Sequence, residues 1–189
     1  MKLLAITDRA LMQPDFARAI ERVRAQLGDD VLVQVREKDL DGGPLLALVR
    51  AALATGARVV VNDRVDIALA AGAHGVHLPE RGLAIADARA LLPDGALVGV
   101  SRHDLAGVRE AADAGADLIQ LGPIWASPGK GEPIGLPALA QARDAIAGRA
   151  KLVAVGGIAS RARADAALAA GADAVAAIRW VWSSGVELA

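Results

Sequence analysis

Polar and charged residues stand directly after short apolar runs of this sequence, and their types suit a site for a phosphorylated molecule. Arg36, Lys38 and Lys130 supply positive charge that can neutralise phosphate oxygens. The Gly156-Gly157 pair offers backbone N–H groups, which cradle phosphate where such a turn opens a helix. Equivalent places are taken by Gln34, Asn62, Asp63, Arg64, His77, Ser101, His103, Ser127 and Arg179. Together these residues predict a cation-rich binding site.

Asp63 and two histidines extend the chemistry that this set could perform. Mg²⁺ takes one or two carboxylates together with substrate phosphate oxygens, so Asp63 is a candidate metal ligand. The alternative for Asp63 is to cap the next helix, and the alternative for the glycine pair is a simple tight turn. His77 and His103 have the chemistry for proton transfer, although a lone histidine is more often structural.

The apolar runs that precede these residues predict eight strands. They are continuous rather than alternating, which is typical of strands buried on both faces of a parallel sheet. The runs cover residues 3–6, 31–35, 59–61, 75–78, 97–100, 118–121, 152–155 and 174–177. Alanine-rich and leucine-rich stretches between them predict helices, among them 16–27, 45–54, 84–92, 106–114 and 136–147. Asp104 and Ser160 are predicted helix caps.

A short repeat supports this alternation of helix and strand. Ala-Gly-Ala occurs three times before a strand, followed by His74, Asp117 and Asp173, with the glycine at the expected left-handed helix cap. Eight βα units in 189 residues predict an α/β fold, a compact (β/α)8 TIM barrel spanning 1–189 as one domain. An open doubly wound sheet is the alternative. In a barrel, the residues that follow the strands meet at one end.

Composition excludes several classes of protein. Lys and Arg number 21 and Asp and Glu 22, and a net charge of -1 argues against a nucleic-acid or polybasic membrane binder. Hydrophobic residues make up 54% and aromatic residues 2%, which predicts an aliphatic core. There is no cysteine, no apolar run long enough to span a membrane and no signal peptide, so we expect a cytoplasmic protein.

Two segments carry a resemblance to a known family. The Gln-x-Arg-x-Lys segment at residues 34–38 and the Asn-Asp-Arg-Val-Asp segment at 62–66 resemble the thiamine-phosphate synthase/TenI family. The resemblance continues to Lys130 and to the Val-Gly-Gly-Ile segment at 155–158. It implies a (β/α)8 barrel that is commonly a homodimer. It also implies an enzyme that joins hydroxymethylpyrimidine diphosphate to a thiazole phosphate and releases pyrophosphate.

The resemblance also assigns roles to the residues at the strand ends. By position, Asp63 matches a Mg²⁺ ligand and Gly157 matches part of the thiazole phosphate cradle, which would include Gly156. The pyrimidine diphosphate site would comprise Gln34, Arg36, Lys38, Asn62, Ser101 and Lys130. We therefore expect Lys130, Arg36, Lys38 and His103 to act in catalysis, and the remaining residues to bind phosphorylated substrates.

The sequence departs from the synthase pattern at several points. Gly82 stands where the family has a second carboxylate ligand for Mg²⁺, and Glu80, two residues away, is the available substitute. The loop after the sixth strand keeps one hydroxyl, Ser127, beside its lysine. Arg179 replaces an expected serine at the thiazole phosphate site.

These departures leave two alternatives to the synthase. One is a TenI-like thiazole tautomerase, which needs a histidine base. Pro123 stands where that histidine lies in one form of the family, so His77 or His103 would have to serve. The other is a non-catalytic paralogue that binds ligands or partners of the thiamine pathway.

Overall fold

The computed structural model describes residues 1–183 of the chain, and these residues form a closed barrel of eight parallel strands in sequence order. The strands are β1 (Leu3–Ile6), β2 (Val31–Val35), β3 (Arg58–Asn62), β4 (Gly75–Leu78), β5 (Leu97–Arg102), β6 (Leu118–Leu121), β7 (Lys151–Val155) and β8 (Ala174–Ala177). All eight predicted strands are present. The predicted barrel is confirmed and the open doubly wound sheet is wrong.

A helix follows each strand. The helices are α1 (Phe16–Leu27), α2 (Gly42–Ala54), α3 (Val65–Ala71), α4 (Ile85–Leu91), α5 (Leu105–Asp113), α6 (Pro137–Ile146), α7 (Arg161–Ala169) and α8 (Arg179–Trp182), with a 3-10 turn at Gly28–Asp30. Both predicted caps are confirmed. Asp104 accepts a hydrogen bond from the Gly107 N–H at 2.8 Å, and Ser160 accepts one from the Arg163 N–H at 3.3 Å.

Aliphatic side chains fill both the barrel interior and the layer between strands and helices. Inside the barrel, Leu4, Leu32 and Val60 pack with residues of β6 to β8. The outer layer is a larger cluster of the same residue types. Parallel pairing of β8 with β1 closes the barrel. Trp182 is buried in the outer layer, and its indole Nε1–H donates to the Ile6 carbonyl at 2.7 Å. Both layers of the core are thus built mainly of aliphatic residues, as the low aromatic content of the sequence predicts.

The Ala-Gly-Ala repeat has a shared structural role at the amino-terminal ends of the strands. In each turn, the residue after the repeat accepts a hydrogen bond from a backbone N–H near the start of the preceding strand. These bonds run from Val59 to His74 Nδ1 (3.1 Å), from Val98 to Asp117 Oδ2 (2.7 Å) and from Leu152 to Asp173 Oδ2 (2.8 Å). Three turns thus cap three strand starts in the same way.

Two further observations concern the limits of the chain. Within residues 1–183, no helix combines the length and apolarity needed to cross a bilayer. The predicted domain runs to residue 189, and its residues 184–189 lie outside the described part.

Candidate active site

The residues predicted from the sequence lie at one end of the barrel, around the carboxyl ends of the strands. Gln34, His77 and Ser101 are within strands β2, β4 and β5, and Asn62 is the last residue of β3. The remaining ones follow the strands and include Arg36, Lys38, Asp63, His103, Ser127, Lys130, Gly156, Gly157 and Arg179. The topology therefore brings the whole predicted set to the end where TIM barrels hold their active sites.

A chain of hydrogen bonds crosses the barrel interior beneath this end. Gln120 Nε2 lies 2.7 Å from Gln34 Oε1, across the barrel, and 3.3 Å from His77 Nδ1. Gln34 Nε2 donates to Asn62 Oδ1 at 3.0 Å, and His77 Nε2 lies 2.8 Å from Ser101 Oγ. Gln34, His77 and Gln120 are buried, so these bonds satisfy polar groups that would otherwise be costly inside the barrel. The buried residues form a polar floor for the site.

Gln120 is the member of this floor that sequence reasoning missed. It lies inside the predicted apolar strand 118–121, and the hydrophobic run around it predicts a buried strand without a site residue. The available signal was its alternation with Leu118, whose side chain also points into the barrel interior. A polar residue at an inward position near the carboxyl end of a strand was the clue.

The sequence makes room for His77 by placing a glycine on the next strand. Gly99 is paired in register with His77, and a Cβ at that position would lie 2.8 Å from His77 Nδ1. Burial, together with the positive charges of Arg36 and Arg102, lowers the pKa of His77 to about 3. His77 is therefore a neutral imidazole with both ring nitrogens hydrogen-bonded, which makes it a poor general base.

His103 has a different environment. Its side chain is half-exposed, its Nδ1 lies 2.5 Å from the Gly122 carbonyl oxygen, and its Nε2 lies 3.9 Å from the Glu80 carboxylate. Because a carbonyl only accepts, Nδ1 carries the proton and the lone pair of a neutral ring is on Nε2. Of the two histidines, His103 is thus the one with an accessible basic nitrogen.

Several cations at this end, Arg179 among them, have no carboxylate partner in the described part of the chain. Within residues 1–183, Arg36, Lys38, Arg102 and Lys130 form no ion pair with a carboxylate. The sequence predicts Arg64 in the same set, but its Nε and Nη2 donate to the two carboxylate oxygens of Asp66, at 2.8 and 2.6 Å. The Asp66 carboxylate raises the pKa of Arg64. Arg64 is therefore committed to a partner.

A buried threonine fixes the segment that carries Arg36 and Lys38. The backbone N–H of Arg36 donates to Thr7 Oγ1 at 2.9 Å, and Thr7 Oγ1 donates to Glu37 Oε1 at 2.7 Å. Glu37 also accepts from the backbone N–H of Arg9 at 3.1 Å and from its guanidinium at 3.2 Å. Glu37 is thus held by Thr7 and Arg9, and these bonds fix the backbone on which its two cationic neighbours lie.

Asp63 does not cap helix α3. The N-cap position is Arg64, which makes no side-chain cap bond, so the capping alternative for Asp63 is wrong. Asp63 has a φ of 63°, a left-handed conformation that few residues other than glycine adopt, and its N–H donates to the His77 carbonyl at 2.9 Å. Such strain at a strand end is typical of functional sites.

Gly82 lies against the Asp63 carboxylate. A Cβ at Gly82 would be 3.1 Å from Asp63 Oδ1 and 2.8 Å from Pro79 Cδ. The β4–α4 loop therefore brings residue 82 to the place where a second carboxylate would meet Asp63, and here it contributes no side chain. No group of three or more His, Asp or Glu residues in the described chain could hold a metal ion. Asp63 by itself would fit Mg²⁺ only together with phosphate oxygens of a substrate.

The Gly156-Gly157 pair packs against the β6–α6 loop. A Cβ at Gly156 would lie 2.6 Å from Pro123, and one at Gly157 would lie 2.6 Å from Trp125, so only glycine fits at either position. Both residues have positive φ, 94° and 68°. Their N–H groups donate to no acceptor within residues 1–183, which leaves them able to bind an anion.

Arg163 supports this turn, although its sequence context indicates only a solvated helix face. Its guanidinium donates to the Gly157 carbonyl at 2.7 Å and lies 5.4 Å from the centre of the Trp125 ring. Arg163 thus joins the loops after β6 and β7.

A reverse turn places Lys130 within the β6–α6 loop. The Lys130 N–H donates to the Ser127 carbonyl at 3.1 Å, and Gly129 at the third position has a φ of 71°. Pro128 at the second position and Gly129 at the third are the residues that a type II turn favours. Arg179 is the exposed first residue of α8, two strands along the barrel from this loop.

The family of thiamine monophosphate synthases matches residues 3–181 of the chain. The thiamine-phosphate synthase of Methanoculleus marisnigri is 40% identical over 190 residues, covering 97% of this chain and 88% of that protein. The chain belongs to the thiamine monophosphate synthase family. The family resemblance predicted from the sequence is confirmed.

Two further relatives agree with this membership of the thiamine monophosphate synthase family. The thiamine-phosphate synthase of Anaeromyxobacter dehalogenans is 44% identical over 171 residues, which cover 84% of this chain and 76% of that protein. The solved structure of a thiamine phosphate pyrophosphorylase from Pyrococcus furiosus superimposes with a TM-score of 0.83 at 26% identity, covering 98% of this chain and 89% of that one. Sequence and fold therefore lead to the same family.

Proposed function

We propose that this protein is a thiamine-phosphate synthase, which joins hydroxymethylpyrimidine diphosphate to a thiazole phosphate and releases pyrophosphate. The observation that carries the proposal is the set of cations Arg36, Lys38 and Lys130, which follow strands at the carboxyl end of the barrel without carboxylate partners in residues 1–183. Cations that are gathered at one site and not paired within the protein attract an anionic ligand. Family membership makes the diphosphate the natural anion.

The chemistry requires little of the protein beyond charge and position. The bond between the pyrimidine methylene carbon and the diphosphate oxygen breaks, and a bond forms between that carbon and the thiazole nitrogen. Positive charge that develops on the carbon is delocalised into the electron-rich aminopyrimidine. Arg36, Lys38 and Lys130 would stabilise the negative charge that accumulates on the departing pyrophosphate. No nucleophilic side chain is needed, in keeping with a chain that lacks cysteine.

Mg²⁺ is part of the proposal as an ion held jointly by Asp63 and the diphosphate. When bound, it would neutralise further charge on the leaving group. Asp63 is suited to this role because its carboxylate does not cap α3 and lies beside the open position of Gly82. Glu80 is the other carboxylate of this region, and its side chain faces His103.

The second substrate would bind through its phosphate at the loops after β7 and β8. The unpaired N–H groups of Gly156 and Gly157 offer a cradle, and Arg179 adds a charge at the start of α8. Asn62, Ser101 and Ser127 would donate hydrogen bonds on the diphosphate side.

A thiazole tautomerase is the second candidate function, and His103 is the observation that favours it. Its Nε2 is accessible and unprotonated in the neutral ring, as a general base requires. His77 is unsuited to that task because its pKa is about 3. A protein that binds these ligands without turnover is the third possibility, which the assays below separate from both enzymes.

We also propose that residues 1–189 form one domain that acts in the cytoplasm as a homodimer on phosphorylated small molecules, and that it binds no nucleic acid. The net charge of -1 supports the last point. Light scattering of the purified protein measures its oligomeric state, and a monomer would contradict the homodimer.

The deciding experiment is the formation of thiamine phosphate from the two substrates, with and without Mg²⁺. We expect thiamine phosphate to form only when Mg²⁺ is present. In Asp63→Asn we expect this metal-dependent formation of product to be lost. Deuterium uptake from solvent into a thiazole carboxylate phosphate is the matched assay for the tautomerase, with His103→Gln as its control. Folded protein that forms no thiamine phosphate would overturn the synthase, and ligand binding without turnover in either assay would leave the binding protein.

A further inference from the structure

The hydrogen-bond chain in the floor has a direction, and one residue sets it. Gln120 Nε2 is within hydrogen-bond distance of two acceptors, Gln34 Oε1 at 2.7 Å and His77 Nδ1 at 3.3 Å. An amide nitrogen has two hydrogens and no lone pair to offer, so Gln120 donates along both arms. The direction of the next hydrogen bond on each side, from Gln34 to Asn62 and between His77 and Ser101, follows from these two donations. We call the two sides the first and the second arm.

The first arm ends in a donor. Because Gln34 uses its oxygen to accept from Gln120, it uses its nitrogen to donate to Asn62 Oδ1 at 3.0 Å. The oxygen of Asn62 is thereby engaged, while its amide N–H groups have no acceptor within residues 1–183. None of the buried side-chain polar atoms in this part of the chain lacks a partner, so this nitrogen is exposed to the open end.

The second arm ends in the same way. His77 accepts from Gln120 at Nδ1, so the neutral ring has its proton on Nε2 and donates to Ser101 Oγ, 2.8 Å away. A hydroxyl oxygen that accepts this bond keeps its own hydrogen for another partner. Asn62 and Ser101 are both half-buried at the rim of the floor, so two donors face the site.

We propose that Gln120 is a positioning residue, which orients the Asn62 amide and the Ser101 hydroxyl as donors toward an acceptor-only group such as the oxygens of a diphosphate. The proposal rests on the proposed function for the identity of that ligand. An acceptor in place of the Gln120 nitrogen would reverse both arms and present lone pairs to the substrate instead. The chemistry of residue 120 thus controls two groups that it does not touch.

The tautomer of His77 tests the proposal directly. The chain has three histidines, so ¹⁵N-histidine labelling gives three imidazoles that His74→Gln and His103→Gln assign. We expect wild-type His77 to carry its proton on Nε2 and to lose that preference in Gln120→Met. In Gln120→Glu, which can only accept, we expect a proton on Nδ1. A wild-type ring protonated on Nδ1 would overturn the proposal, and this measurement needs no variant at residue 120 to fold.

Binding of inorganic pyrophosphate, measured by calorimetry, tests the consequence at the rim. We expect the Kd to rise about fivefold to tenfold in Gln120→Met, because the two donors lose their fixed orientation. Leu118→Met is the matched control, since it changes the other inward-facing residue of the same strand without a polar group, and its Kd should equal that of the wild type. An unchanged Kd in folded Gln120→Met would contradict the proposal.

Neither the tautomer of His77 nor the Kd for pyrophosphate depends on turnover. The proposed synthase function and the proposed role of Gln120 can therefore be disproved separately. Wild-type protein that makes no thiamine phosphate, but shows the Nε2 tautomer and the weakened pyrophosphate binding of Gln120→Met, would remove the synthase and leave the role of Gln120. An active synthase with an Nδ1-protonated His77 would do the reverse.

Discussion

The two ends of the barrel use charged residues in opposite ways. At the amino-terminal end, Asp117 and Asp173 accept from strand N–H groups and also pair with Arg89 and Arg143, so these two carboxylates are neutralised within the protein. At the carboxyl end, cations such as Lys130 have no carboxylate partner in residues 1–183. One end is arranged for stability and the other for an anion that the chain itself does not supply.

The largest effect should come from removing a cation at the carboxyl end. We expect Lys130→Ala to lower kcat/KM for thiamine phosphate formation by about a thousandfold, because a charge on the leaving group loses its counterion. Steady-state kinetics measures this. The matched control is Lys151→Ala, at the start of β7 on the opposite end, which should retain wild-type kinetics. Equal losses in the two variants would break the contrast between the ends.

The buried histidine of the floor should make stability depend on pH. His77 has a pKa of about 3 in the folded protein, against 6.5 as its ordinary value, so the unfolded chain binds a proton between these pH values that the folded protein does not. Its contribution is fully present above pH 6.5 and is lost on acidification, at about 1 kcal/mol per pH unit. Urea unfolding from pH 7 to pH 4 measures the slope.

His77→Gln should remove that part of the slope, whereas His103→Gln, at the half-exposed histidine, should keep it. A slope that is identical in all three proteins would show that His77 does not contribute.

At the amino-terminal end, Asp117→Ala should cost stability rather than activity. It leaves the N–H of Val98 without its acceptor, and Arg89 keeps its two backbone acceptors but loses its carboxylate partner. We therefore expect the free energy of unfolding to fall by about 1–3 kcal/mol. Kinetic constants for the synthase reaction should stay at wild-type values. A variant with normal stability and reduced turnover would reverse the roles assigned to the two ends.

The smallest expected effect concerns the metal. Gly82→Asp would place a second carboxylate beside Asp63, and we expect the Mg²⁺ concentration for half-maximal activity to fall about tenfold. Gly82→Asn is the control, because it imposes the same shift on Pro79 without the charge. If the Mg²⁺ concentration for half-maximal activity changes equally in both variants, the cause is the altered loop and not a second carboxylate at the metal site.

Much of this contrast follows from the sequence because it depends on local patterns. Continuous apolar runs mark strands buried on both faces, and the polar residues after them must meet at one end of a closed barrel. Pairing across the barrel is different. The sequence places Gln120 and Gln34 far apart, and only closure of the sheet brings them to 2.7 Å. The commitment of Arg64 to Asp66 was likewise hidden, since each residue alone fits a binding site.

The caps at the amino-terminal end divide the barrel into pairs of strands. His74 joins β4 to β3, Asp117 joins β6 to β5, and Asp173 joins β8 to β7. The β1–β2 pair has an equivalent link in Asp30, which contacts both the amino terminus and the Lys2 ammonium. A backbone cut between α4 and β5 would leave each of these strand-to-strand links inside one fragment, and the Arg89–Asp117 ion pair would join the two fragments. The two halves therefore have the connectivity expected of modules that reassemble by complementation.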